Sequence, residues 1–231
     1  MSLSTGLIAI KGQRSDKFAE IFNFFKLVDT NNDKTLTNWN EAIQVIDDEY
    51  MNPDDNSQRR IVWFDNGWTL IEDLSLILCT DEESLTKISQ QFSTQVFSLA
   101  TQGTSGCYGF WYFDKQKLRS FFNNNGEVTD NFGTPLSQEA NFNINENTFY
   151  DDIHGVAKQF GIHLANAENL NSFIVKQLDN SEELNNEIAQ ATKNHIQIDN
   201  KAKSNLGGNF DSFCLSGQKL QPTFVQVGQT E

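Results

Sequence analysis

Apolar and polar positions along the chain change period several times, and each change marks an element. Residues 5–11 alternate weakly, as a short strand does, before a turn at 12–16. Residues 17–28 place Phe18, Ile21, Phe22 and Phe25 on one helical face. After a polar stretch at 29–37, Trp39, Ala42, Ile43, Ile46 and Tyr50 form a second helical stripe. That helix must stop before Pro53, which leaves 52–58 as a loop.

The middle of the chain reads as strands. Residues 59–64 and 68–73 flank Asp65-Asn66-Gly67, a hairpin signal because Asn-Gly accepts the positive φ of a tight turn. Thr80 with Glu83 three positions on has the form of a capping box, opening a helix that buries Leu85, Ile88 and Phe92. Residues 94–100 alternate, and 106–113 are apolar almost throughout, as a strand covered on both faces is. Residues 115–122 and 127–132 are joined by Asn123-Asn124-Asn125-Gly126, another hairpin turn.

A helix over 147–160 carries Phe149, Ile153, Val156 and Phe160, with Gly161 suited to follow its end. Beyond Leu164 the chain turns rich in Asn, Gln and Ser, with Ser181 placed to cap a short helix near 182–195. These elements predict an α+β body over 1–164: a helix pair at 15–50, a strand-rich part at 59–132 and the helix at 147–160. Its sheet is expected to be mainly antiparallel, with about 5–7 strands and flanking helices. Residues 165–231 are expected to form an irregular, Asn-rich C-terminal extension.

Composition narrows the function classes. With 17 Lys and Arg against 31 Asp and Glu the net charge is 17 − 31 = −14, so nucleic acid is not the expected partner. No apolar run reaches the ~20 residues of a membrane helix, and the N-terminus lacks a basic, apolar leader. Cys79, Cys107 and Cys214 are odd in number and widely spaced, unlike a disulfide framework or a zinc site. A cytoplasmic protein without membrane association is the expectation.

One segment suggests a metal. Asp29, Asn31 and Asp33 alternate ahead of Thr35, with Leu36 following and Glu41 at the end. This pattern resembles an EF-hand loop, and the resemblance covers about a dozen residues. It implies weak calcium binding, three side-chain oxygens coming from Asp29, Asn31 and Asp33, a carbonyl from Thr35 and a carboxylate from Glu41. Lys34 stands where the family has Gly, and Asn40 stands where it has Glu, with Glu41 one position late. Asn38 followed by Glu41 also reads as a helix cap, which gives the segment a structural role without metal. No other cofactor is expected.

Catalytic patterns are weaker still. Gly103-Thr104-Ser105-Gly106 lacks the second glycine of a nucleophile elbow and reads as a hairpin loop. His154 falls opposite the apolar face of its helix, with Asp151 and Lys158 as helical neighbours, the pattern of a solvated ion cluster. No residue is assigned to catalysis.

Binding of another protein remains. Trp63 and Trp68 flank the Asn66-Gly67 turn as a candidate ledge, and Lys115, Lys117 and Arg119 share a strand face by period two. Small acidic chains of this kind are similar in style to bacterial immunity and inhibitor proteins, which neutralise basic toxins. The expected function is non-enzymatic binding of a basic protein through the acidic surface; the alternative is a calcium-binding helix–loop–helix over 29–41, and the third an enzyme of unknown class.

Overall fold

The computed structural model describes residues 4–51, 57–164, 170 and 172–205, and side chains outside 47–51 and 195–205. The expectations for the loop core at 52–56, for Tyr50, for Cys214 and for the arm beyond Asn205 lie outside these residues or side chains. The chain divides into two compact units, Met1–Asn186 and Glu187–Glu231.

The first unit is built on one sheet of ten strands, every pairing antiparallel. Its members are β1 (Ser4–Lys11), β2 (Leu27–Asp29), β3 (Lys34–Leu36), β4 (Ser57–Asp65), β5 (Trp68–Glu72), β6 (Gln95–Gln102), β7 (Cys107–Asp114), β8 (Lys117–Asn124), β9 (Glu127–Phe132) and β10 (Phe173–Asn180). Across the sheet the order is β2-β10-β4-β5-β1-β6-β7-β8-β9, with β3 also on β10. The expected α+β body with about 5–7 strands and an irregular extension is therefore corrected. Ten strands form one open sheet, and the segment after Leu164 supplies β10, which lies inside it between β2 and β4.

Helices cover both faces. α1 (Phe18–Phe24) and α3 (Glu82–Gln91) lie with one core, which holds Ile8, Ile10, Val62, Ile71, Trp111 and Phe113. α2 (Trp39–Met51) and α4 (Tyr150–Gln159) belong with the other, around Leu7, Ala9, Trp63, Leu70, Phe97 and Phe110. Alternate residues of β1 thus enter opposite cores, which is why 7–10 read as an unbroken apolar run.

Local chemistry sets several boundaries. Asn66 (φ 49°) and Gly67 (φ 77°) take the left-handed geometry their hairpin needs, and Asn125 (φ 52°) and Gly126 (φ 86°) do the same. α3 is capped one residue later than its box suggested: Asp81 Oδ1 accepts from the Ser84 amide at 3.1 Å. α1 ends at Phe24, short of the expected 28, because Lys26 turns left-handed (φ 59°) and Leu27 starts a strand. α4 starts at Tyr150 rather than 147, with Asp152 Oδ2 accepting from the Phe149 amide at 3.0 Å.

α5 (Glu182–Asn205) is capped by Ser181, whose Oγ accepts from the Leu184 amide at 3.2 Å. It runs beyond the expected end near 195. Its first residues belong to the first unit; the second unit is helical from Glu187 to Asn205, with Ile188 exposed.

Candidate functional site

The calcium candidate lies in the connection between α1 and α2 and contains the end of β2, all of β3 and the start of α2, both strands being paired with β10. Asp29 ends β2, Thr35 pairs with Ile174 in β3, and Glu41 is exposed on α2. Two of the expected ligands do converge, on an internal cation. Lys176 Nζ lies 2.7 Å from Asp29 Oδ2 and 2.8 Å from Asp33 Oδ2, with the Lys176 and Asp29 side chains each 3% exposed. Asn31 adopts the left-handed turn (φ 57°), and its amide donates to Asp29 Oδ1 at 3.0 Å. Asn38 caps α2 through its Oδ1, which accepts from the Asn40 amide at 2.8 Å.

The tryptophans of the candidate ledge are interior. Trp63 is 1% and Trp68 2% exposed, because both project from the β4–β5 hairpin into the core beneath α2 and α4. Trp63 meets Trp39 edge to face at 5.4 Å, and Trp68 Nε1 donates to the Phe160 carbonyl at 3.1 Å.

The basic face does not form either. Lys115 sits in the β7–β8 turn (φ 62°), outside the strand and its period. Lys117 Nζ bonds Glu82 Oε2 at 2.6 Å and lies 4.8 Å from the Phe132 ring centre. Arg119 is buried: Nε and Nη2 grip the two oxygens of Glu139, each at 2.9 Å. Its Nη1 donates to Asn131 Oδ1 at 2.7 Å and to the Phe132 carbonyl at 2.9 Å.

His154 corrects another expectation. It is buried, its ring stacks on Tyr150 at 3.7 Å, and Nε2 has no partner. Burial, aided by Lys158, pushes its pKa down to about 4, so the imidazole is neutral at pH 7. It borders a cavity of about 400 Å³ on the flank of α4, with Phe142, Tyr150, Asp151, Lys158 and Ile162 around it. Phe142 reaches this flank because Gly155 has no Cβ; one would stand 2.0 Å from the ring. Among the described residues, no three or more His, Cys, Asp and Glu side chains gather as a metal site requires.

A second buried side chain with an unpartnered atom lies in mid-sheet. Glu72, at the end of β5, is buried with Oε2 unpartnered. Burial first, then the neighbouring Asp73 charge, raises its pKa to about 8 against the opposing pull of Arg60. Asp73 itself holds Arg60 Nη2 at 3.1 Å and accepts from the Leu78 and Cys79 amides at 2.7 and 3.0 Å.

These internal ions were not legible from spacing. Arg60 and Lys176 stand on strands among apolar or mixed neighbours, where only a charge at an inward-facing position could have marked them, while Asp73 and Glu139 lie outside the strands, where no such period applies. Arg60, Arg119 and Lys176 are each matched by an internal carboxylate: Asp73, Glu139 and Asp29. Each pair is neutral as a unit, so the three leave the chain's net charge unchanged.

The sheet ends differently on its two sides. One flank finishes in strands of three residues, β2 and β3. The other finishes in β9, six residues with Glu127 and Asp130 and no basic side chain or proline; among the described residues no strand pairs with its outer edge. Phe132 at its end is 48% exposed.

No family model, curated protein or solved structure matches the chain. Among the described residues no helix is long and apolar enough to cross a membrane.

Proposed function

We propose that this chain is a non-enzymatic binding module that recognises a basic protein through its acidic surface. The observation that carries the reading is the pairing of internal charge. Arg60–Asp73, Arg119–Glu139 and Lys176–Asp29 cancel inside the body, so burying these charges leaves the chain's acidic surplus as it was. The chain's formal net charge of −14, which these pairs leave unchanged, attracts a cationic partner over about a Debye length, ~10 Å at 0.1 M salt. The Trp ledge does not enter this reading, since both indoles are interior.

The test is affinity against ionic strength for two probe proteins of similar size, lysozyme as the cationic one and α-lactalbumin as the anionic one. The cationic probe should be retained at low salt and released as salt rises, with the anionic probe not retained at all. Equal retention of both, or none of either at low salt, overturns the reading.

The calcium alternative has one supporting observation, the convergence of Asp29 and Asp33. A divalent ion there must displace the Lys176 ammonium, so this reading requires calcium to raise the unfolding midpoint only weakly in the wild-type chain.

A further inference from the structure

Resting on the reading that the partner is a basic protein, we propose that the partner docks by adding an extended strand to the outer edge of β9. The segment it contributes has a basic residue and an apolar residue two positions apart.

Among the described residues β9 is the outermost strand on its flank, and its register on β8 runs Ser120↔Phe132, Phe121↔Asn131, Phe122↔Asp130, then shifts to Asn123↔Val128. Thr129 is the extra residue of that bulge. Beyond it, Asp130, Asn131 and Phe132 make a regular edge. A strand edge offers unpaired amide and carbonyl groups along its outer side, and proteins commonly blunt such edges with short strands, bulges, charged side chains or proline. The opposite flank is short, β2 and β3 having three residues each. β9 has six residues, interrupted by its bulge into a regular edge of three, and has neither lysine nor proline.

The edge is also held in place from within. Arg119 Nη1 bonds both the Asn131 side chain and the Phe132 carbonyl, and the guanidinium is itself clamped by Glu139. An edge already fixed in extended form loses little conformational entropy when a strand is added.

Charge selects the occupant. Pairing β9 with β9 of a second copy places Glu127 and Asp130 among like charges, which disfavours a homodimer. A cationic strand meets Asp130 favourably. Side chains alternate, so Asp130 and Phe132 share a face, the one on which Ser120 and Phe122 also lie. An incoming strand with a basic residue beside Asp130 therefore has its next same-face residue beside the half-exposed Phe132 ring. Main-chain bonds supply the attachment and these two side chains the selectivity.

The test uses the full chain and a fluorescein-labelled peptide of repeating Arg-Thr-Val-Thr, followed by anisotropy. Two N-methylated versions of the peptide, methylated at alternate residues in the two possible phases, keep its charge but remove the amide donors of one edge each. The unmodified peptide should bind, one phase should weaken binding by roughly tenfold or more, and the other should leave it nearly unchanged, since only one peptide edge faces β9. Asp130→Lys should weaken the unmodified peptide, while Asp16→Lys on the remote α1 side should not. Equal binding of both methylated phases overturns strand addition while leaving the basic-partner reading intact. Loss of all binding at low salt overturns both.

Discussion

The two flanks of the sheet each rest on an internal cation, yet they finish in different ways. On the β10 flank, Lys176 is held by Asp29 and by Asp33, whose side chain is 38% exposed, and the strands outside it are three residues long. On the β9 flank, Arg119 is enclosed by Glu139, Asn131 and the Phe132 carbonyl beneath a longer, open strand. A planar guanidinium with several donors can order an edge strand and its neighbouring turn together, while a lysine ammonium gathers point charges from a loop. Among the described residues the β9 flank thus ends in a strand tied from within by Arg119, and the β10 flank in its own short strands.

The largest break in that contrast comes from Glu139→Ala. It strands the Arg119 guanidinium in a buried position, and the expected cost is about 3–5 kcal/mol in urea unfolding, with Asn131 and Phe132 amides losing hydrogen-exchange protection first. A loss under about 1 kcal/mol would mean that water or another acid replaces Glu139. Lys176→Met comes next, at about 2–3 kcal/mol, less because the half-exposed Asp33 can turn to solvent. The same variant sharpens the metal question: with the ammonium gone, calcium should raise the unfolding midpoint more than in the wild type if Asp29 and Asp33 can act as ligands. Equal midpoints with calcium and with chelator in both proteins remove that alternative.

A smaller effect separates both flanks from the middle of the sheet. Glu72 titrates near 8 when folded and near 4.5 when unfolded, so the native state holds a proton the unfolded chain has lost. That contribution is complete below the unfolded value and disappears as pH rises through about 8. His154 works in the opposite sense: its folded pKa of about 4 lies below the ordinary 6.5, so its contribution is present above 6.5 and is lost as pH falls through 4. The two slopes oppose one another between about 4.5 and 6.5, and only Glu72 acts from there to 8. Stability should decline over that upper window, by up to about 1.4 kcal/mol per pH unit. Glu72→Gln should flatten the decline; an unchanged slope in E72Q would place the proton elsewhere.

The sequence pattern carried the hairpins and most helices because their signals are local. Asn66-Gly67 and Asn125-Gly126 specify left-handed turns wherever they occur, and Ser181 caps α5 through contacts within three residues. β10 was not legible, although 173–178 reads Phe-Ile-Val-Lys-Gln-Leu. The surrounding Asn-rich chain masked it, and a lysine in its midst argued against burial until Asp29 and Asp33 arrived from about 145 positions away, as the 143-residue separation of Lys176 and Asp33 shows. The short β2 and β3 are equally non-local, since each exists only through β10.

The candidate site divides along the same line. Net charge, the acidic strand 127–132 and its hairpin turn are properties of sequence alone, because counting charges and recognising Asn-Gly need no distant contact. Which tryptophans are interior, which basic residues are paired inside, and which strand lies at the edge depend on how ten strands are ordered. Strand order is decided by the fit of two apolar faces and by internal charges finding their partners, and both are satisfied only when segments far apart in the chain come together.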